Sequence, residues 1–184
     1  SILSNTVFKR YRDLAKKAEV TLGTKESAKW FANRIRKDKQ IKSLDRVTDG
    51  YKARLIEPGG MYTYAYDPKT KEKLKFYDSF PLIICLQIVK GGWYGVNLHY
   101  LPPSLRAEVL WQIGYKKLGL ARVAKAMSLD PRAVPAMKRY LFNHCQTTPK
   151  YIPKEEWEIA IQLPFENFQK ATLKQVWRDS RSKM

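Results

Sequence analysis

The chain has 184 residues, 44% of them apolar and 12% aromatic, enough to bury one core and to exclude general disorder. Its formal net charge of +18 points to a polyanionic partner, nucleic acid being the commonest, or to docking on acidic protein surfaces. No apolar run approaches the ~20 residues of a bilayer span, Lys9, Arg10 and Arg12 interrupt any signal-peptide core, and two cysteines, Cys85 and Cys145, make no disulfide framework.

A protein of a reducing compartment with no membrane partner is therefore expected. The charge is unevenly spread. Residues 1–56 hold 15 Lys/Arg against 6 Asp/Glu, residues 57–108 hold 6 against 5, and residues 109–184 hold 14 against 6. The excess lies on both flanks of a nearly neutral centre.

In residues 5–22, Val7, Tyr11, Leu14 and Ala18 recur at helical spacing, with Lys9, Arg12 and Lys16 on the opposite face. Gly23 can end this helix and Thr24 can cap the next. Over 25–40, Lys25, Lys29 and Arg36 fall within about 40° of one another at 100° per residue, with Asn33 and Gln40 beside them. Trp30, Phe31 and Ile35 form the core-seeking side, and Arg34 is spaced to pair with Asp38. The basic face reads either as a phosphate-facing surface or as an ordinary solvated one. Lys39 extends it.

Residues 43–60 read as a linker punctuated by turn residues. Met61 to Tyr66 alternates three tyrosines with three smaller residues, the period of a strand. Its tyrosine row is core in the simpler reading and a base-stacking platform in the other. Asp67 to Thr70 is a turn, followed by Lys71, Lys73 and Lys75, which with Lys69 decorate the loop. Leu82 to Val89 is a central strand by its continuous apolar run. Lys90-Gly91-Gly92 signals a hairpin returning through Trp93 to Leu98, with Trp93 and Tyr94 read as core or as an exposed docking patch, core being the favoured reading for Trp93. A small curled antiparallel sheet closing as an SH3-like barrel is expected.

Ser104 to Ile113 reads as a helix capped by its serine, and Tyr115 to Met127 as a basic Ala/Leu-rich segment. Asp130-Pro131 reads as a further helix start, with Arg132, Lys138 and Arg139 as its charges. Trp157, Ile159, Ile161 and Leu163 alternate, predicting a strand that returns to the β module, although Pro153 to Glu156 resembles a helix start. The tail from Lys170 is basic and extended, anchored by Trp177. The expected organisation is α+β: a basic helical arm (1–56), a barrel-like core (57–103), a helical segment (104–150), and a return strand with a basic tail (151–184), so that basic helices flank the sheet.

The catalytic inventory is thin. His99 and Cys85 would need a proximity that spacing does not supply, and Cys85 lies in an apolar run. His144-Cys145 matches no common zinc spacing. The carboxylates are scattered, and no phosphate-binding glycine loop occurs. No metal, cofactor or enzymatic activity is expected; a nuclease hinging on His99 and Tyr100 is the enzymatic alternative.

The phrases MYTYAYDPKTKEKLKFYDSFPLIICL, GGWYGVNLHYLPPSLR, EEWEIAIQLPFENF and VWRDSR resemble small virion-associated proteins of T-even-like contractile-tailed phages, closest to the DNA end protector family. The resemblance covers about two thirds of the chain. It implies a non-enzymatic virion protein, assembled in the host cytoplasm, that caps the genome terminus against exonuclease. The residues favour the same partner, double-stranded DNA gripped through its phosphates without base readout. The expected contacts are Lys25, Lys29, Arg36 and Lys39, with Lys9, Arg12, Lys16, Arg132, Lys138 and Arg139. Other virion proteins are further expected partners, in a homo- or hetero-oligomer. The alternative is a tail, baseplate or neck component docking on acidic proteins.

Overall fold

The apolar run Leu82–Val89 forms strand β4, and Gly92–Asn97 returns beside it as β5. Gly91 turns the hairpin at φ +78°, a conformation that side chains resist. A Cβ on Gly92 would lie 1.7 Å from the Tyr140 carbonyl oxygen, so only glycine allows the neighbouring strand this close. A computed structural model describes residues 6–41, 51–52, 55–115 and 119–181. In it, β1 (Tyr51–Lys52), β2 (Met61–Thr63), β6 (Met137–Leu141) and β7 (Lys150–Ile152) join β4 and β5 in a six-stranded sheet of order β1-β7-β2-β4-β5-β6. Every pairing is antiparallel. A separate two-stranded ribbon pairs β3 (Tyr77–Asp78) with β8 (Phe168–Gln169).

The centre of the sheet is buried on both faces at Leu82 to Leu86, which is why this part of β4 reads as continuous apolar sequence. Leu82, Ile84 and Leu86 enter the larger core beneath the helices, while Ile83 and Cys85 enter an aromatic core with Tyr62, Tyr64, Tyr66, Trp93 and Tyr140. The tyrosine row is thus core, as is Trp93, and a stacking platform there is excluded by burial. The sheet is not closed: β1 and β6 are its edges. The expected SH3-like barrel is corrected to an open sheet, because helices rather than a closing strand cover its larger face.

Helices α1 (Thr6–Lys17), α2 (Lys25–Arg36) and α3 (Pro103–Leu110) pack around the four-residue helix α5 (Trp157–Ala160). In α1 the buried stripe is Val7, Phe8, Tyr11 and Ala15, whereas Ala18 lies beyond the helix and is exposed. Thr24 caps α2 in a reciprocal capping box with Ser27, leaving few amides of the first turn without a partner. The buried Glu158 completes that end, accepting from Ser27 Oγ at 2.7 Å and Gly23 N at 3.1 Å. Asp38 turns away from Arg34 to accept from Arg10 at 2.6 Å and from the Tyr11 hydroxyl; Arg34 instead lies over the Trp30 ring.

Three expectations are overturned. Residues 157–163 are helix and turn, not strand: every residue from 156 to 163 is buried, so no polar face marks the helical period and the alternation of Trp157, Ile159, Ile161 and Leu163 is coincidental. The segment after Asp130 is not a helix. The Asp130 carboxylate accepts from Arg132 N at 2.9 Å and from its guanidinium, closing a turn that leads through a 3₁₀ turn into edge strand β6. The tail is helical: α6 (Leu173–Arg181) begins with a Thr172–Gln175 capping box, N–H to Oε1 at 2.8 Å and N–H to Oγ1 at 3.3 Å.

Helix α3 starts at Pro103 with no side-chain cap and runs into a π-helical turn, Trp111–Tyr115. Ser104 therefore lies inside it rather than capping it. Helix α4 (Leu120–Leu129) follows, packed on β4. Most of the 43–60 linker lies outside the described residues, but β1 shows that part of it belongs to the sheet.

Candidate nucleic-acid interface

The cations expected to face DNA separate into committed and available ones. On α1, Lys9 pairs with Asp13 at 3.0 Å and Arg12 with the buried Glu156 at 3.0 Å, while Lys16 is exposed. On α2, Lys25 and Lys29 are exposed and form no ion pair among the described residues, as does Lys39 just beyond the helix. Arg36 donates from Nε to the buried Gln162 side chain at 3.2 Å. Arg132 is held by both oxygens of Asp130, at 3.1 and 2.8 Å.

Lys138 and Arg139 occupy a different place, on edge strand β6. There they line a half-open cleft of about 420 Å³ whose opposite wall is the 66–78 segment, with Lys69 as a third cation. Tyr66, Phe76, Tyr77, Tyr100 and Tyr140 supply its rings. Lys138 Nζ sits 4.3 Å from the Tyr100 ring centroid, a cation–π contact. Arg139 donates to the Lys90 carbonyl at 3.1 Å. Phe76 is shared with an adjoining groove lined by Lys75, Lys170 and Arg178. Lys170 Nζ donates to the Lys71 and Leu74 carbonyls at 2.7 and 3.2 Å, pinning the lysine loop beside β8.

The carboxylate at the base of the cleft is not available to a ligand. Buried Asp78 accepts from His99 Nδ1–H at 2.8 Å, from Asn97 Nδ2 at 3.1 Å and from Phe80 N at 3.0 Å. Burial alone pushes its pKa up, but the charge and hydrogen bond of His99, with those amides, hold it below the ordinary carboxylate value. Burial, and then the Asp78 charge, push the Tyr100 phenol upward. Asp78 is thus engaged internally and Asp67, within the 66–78 wall segment, pairs with Lys71 at 2.9 Å, leaving Lys69, Lys138 and Arg139 as the cations that line the cleft.

Other reactive groups are equally committed. Burial pushes both thiols up to about 11, keeping them protonated at neutral pH. His99 is 1% exposed and Tyr100 4%, so neither is presented to a scissile bond. Among the described residues no three His, Cys, Asp or Glu side chains gather as metal ligands. What remains is an arrangement suited to phosphate attraction and ring stacking.

A family model described as the phage T4 terminal DNA protecting protein matches residues 2–180. The chain belongs to that family. No curated protein and no solved structure matches the chain. As a member of the terminal DNA protecting family, the chain carries the resemblance of its 61–86 phrase into the cleft, because the stretch from Tyr66 to Asp78 forms one wall. Sequence reasoning did not single out Lys69, Lys75, Tyr77, Lys170 and Arg178, which line the cleft and its adjoining groove, as candidate interface residues. The alternating lysines at 69, 71, 73 and 75 were the available signal; their meeting with Lys138 and Arg139 depends on β6 being an edge strand.

Proposed function

We propose that this protein binds the end of linear double-stranded DNA through its phosphates, without sequence readout, and shields that end from exonuclease. The observation that carries the reading is membership of the terminal DNA protecting family across residues 2–180. The cleft rim of Lys69, Lys138 and Arg139 supports it, as do Lys25 and Lys29, which are exposed and form no ion pair among the described residues. In this reading the binding is non-enzymatic, which the burial of His99 and Cys85 supports. The protein acts in the phage particle, at the packaged genome terminus, beside other virion proteins.

A filter-binding titration on a linear duplex tests this. Affinity is expected to fall steeply with salt, with a log–log slope of about −0.9 per phosphate neutralised, and bound ends are expected to resist exonuclease. Salt-insensitive or absent binding, or cleavage of labelled DNA in magnesium at protein excess, overturns it.

A further inference from the structure

The rings of the β3–β6 cleft say more than its charges do. We propose that this cleft seats the terminal nucleotide of a linear duplex, unstacked from its neighbour, with the base on Tyr77 and its phosphate among Lys69, Lys138 and Arg139. This rests on the reading of the protein as a DNA-end binder, and it names what part of the end is held.

The size of the cleft, about 420 Å³, falls in the range of roughly 300–1,000 Å³ usual for small-ligand sites. It admits one nucleotide and no duplex. Tyr77 is partly exposed and touches no other ring among the described residues, so one face remains for a base. Beside it Phe76 is fixed, tilted against Tyr100 at 6.0 Å and edge-on to Phe168 at 6.2 Å. A platform with one free ring on a rigid aromatic base is tolerant of sequence, because every base has a π-face.

The charges are arranged to match. Lys138 rests over the Tyr100 ring and Lys69 lies on the facing wall, while the Asp78 charge is taken up by His99 and Asn97. Phe76 also lines the adjoining groove of Lys75, Lys170 and Arg178, so further cations lie next to the seat. Selectivity for ends follows physically. A terminal base stacks on one side only and leaves its partner at small cost, whereas an internal base must break two stacks and a constrained pair.

The test uses the full chain and two short blunt duplexes, one intact and one with abasic terminal nucleotides, compared by competition anisotropy. Removing the terminal bases is expected to weaken binding about tenfold, the scale of one base–aromatic stack. Tyr77→Ala is expected to lower affinity for the intact duplex and erase the difference between the two. Tyr77→Phe, which keeps the ring, is expected to preserve it, separating stacking from folding. Lys29→Ala is expected to weaken both duplexes equally. Equal affinity of the wild type for intact and abasic ends overturns the nucleotide seat and leaves end binding standing. No binding to either duplex overturns the end-binding reading beneath it.

Discussion

Around Arg106 and around Lys138 the chain places a cation beside aromatic rings and a carboxylate, and the two regions differ in what is left over. Arg106 is fully buried, and every nitrogen of its guanidinium donates a hydrogen bond. It donates from Nε to the Leu101 carbonyl at 2.7 Å, from Nη1 to Ile161 at 2.8 Å, and from Nη2 to His99 at 3.4 Å and to the Glu166 carboxylate at 2.7 Å, while lying 5.5 Å from the Trp177 ring centroid. Trp177 itself donates to the His99 carbonyl at 3.0 Å. One guanidinium thereby ties α3 to the turn after α5 and to α6. Lys138, by contrast, lies on the edge strand of the sheet and lines an open cleft, its Nζ 4.3 Å from the Tyr100 ring centroid. Net charge does not measure available charge; partner geometry does.

Arg106→Met is expected to produce the largest effect. It removes the ion-pair partner of the buried Glu166 carboxylate and the side-chain donor of the Leu101 and Ile161 carbonyls, and breaking one side of a buried pair costs roughly 3–5 kcal/mol, a large part of a typical domain's stability. Thermal denaturation reads the loss. If Arg106→Met melts within a few degrees of wild type, the interior network is not the structural tie described here.

The second expected effect is on pH dependence. Asp78 and Glu166 both titrate below their ordinary values: burial raises each, and His99 and Arg106 respectively more than offset it. Groups with depressed folded pKa stabilise fully above the unfolded value and lose that contribution as pH falls through the folded one. The melting temperature should be insensitive to this pair from pH 7 to about 5 and fall steeply below about 4. Asp78→Asn, which leaves His99 without its acceptor charge, is expected to melt lower at neutral pH and to show a shallower acid limb. An unchanged acid limb would separate Asp78 from the acid transition.

The surface charges are expected to show the reverse pattern. Lys138→Ala and Lys29→Ala should melt close to wild type, each reducing the salt slope of DNA binding by about 1 if its ammonium neutralises one phosphate. The two test the two cationic regions separately. A slope unchanged in Lys29→Ala but reduced in Lys138→Ala would confine the interface to the cleft and remove α2 from it.

Much of the scaffold was legible in the sequence because its signals are local. The hairpin follows from Gly91-Gly92, the central strand from LIICLQIV, and the α2 cap from Thr24. The failures have physical reasons. Residues 156–163 are buried on every side, so the periodicity that marks a half-exposed helix is missing. The strand at 137–141 contains Met, Lys, Arg and Leu, good helix formers, and becomes a strand because Tyr140 packs against Trp93 and the aromatic core across the sheet. The α6 capping box was readable in Thr172 and Gln175 but was obscured by the basic tail. For the site, the phasing of Lys25 and Lys29 could be read from one helix. The cleft could not, because it joins residues near 70, 100 and 139, and no local pattern encodes that meeting.

Arg132 offers the finest division between the two kinds of charge. It is on the surface, 40% exposed, yet both of its donor positions engage Asp130 two residues earlier, so the pair presents no net charge beyond the reach of the side chains. The Asp130 carboxyl is held below its ordinary value chiefly by that hydrogen bond. Arg132→Ala keeps the Arg132 backbone N–H that closes the turn, and its stability should stay within about 0.5 kcal/mol of wild type, as for most surface substitutions. DNA affinity should fall only slightly, with no change of salt slope, because no phosphate contact is lost. Asp130→Asn is the sharper counterpart. It releases the guanidinium while retaining a hydrogen-bond acceptor, so it should raise DNA affinity and steepen the salt slope only if this surface faces the nucleic acid. An increase in slope comparable to the decrease in Lys29→Ala would move Arg132 from the committed cations to the available ones and extend the interface to the turn that leads into β6.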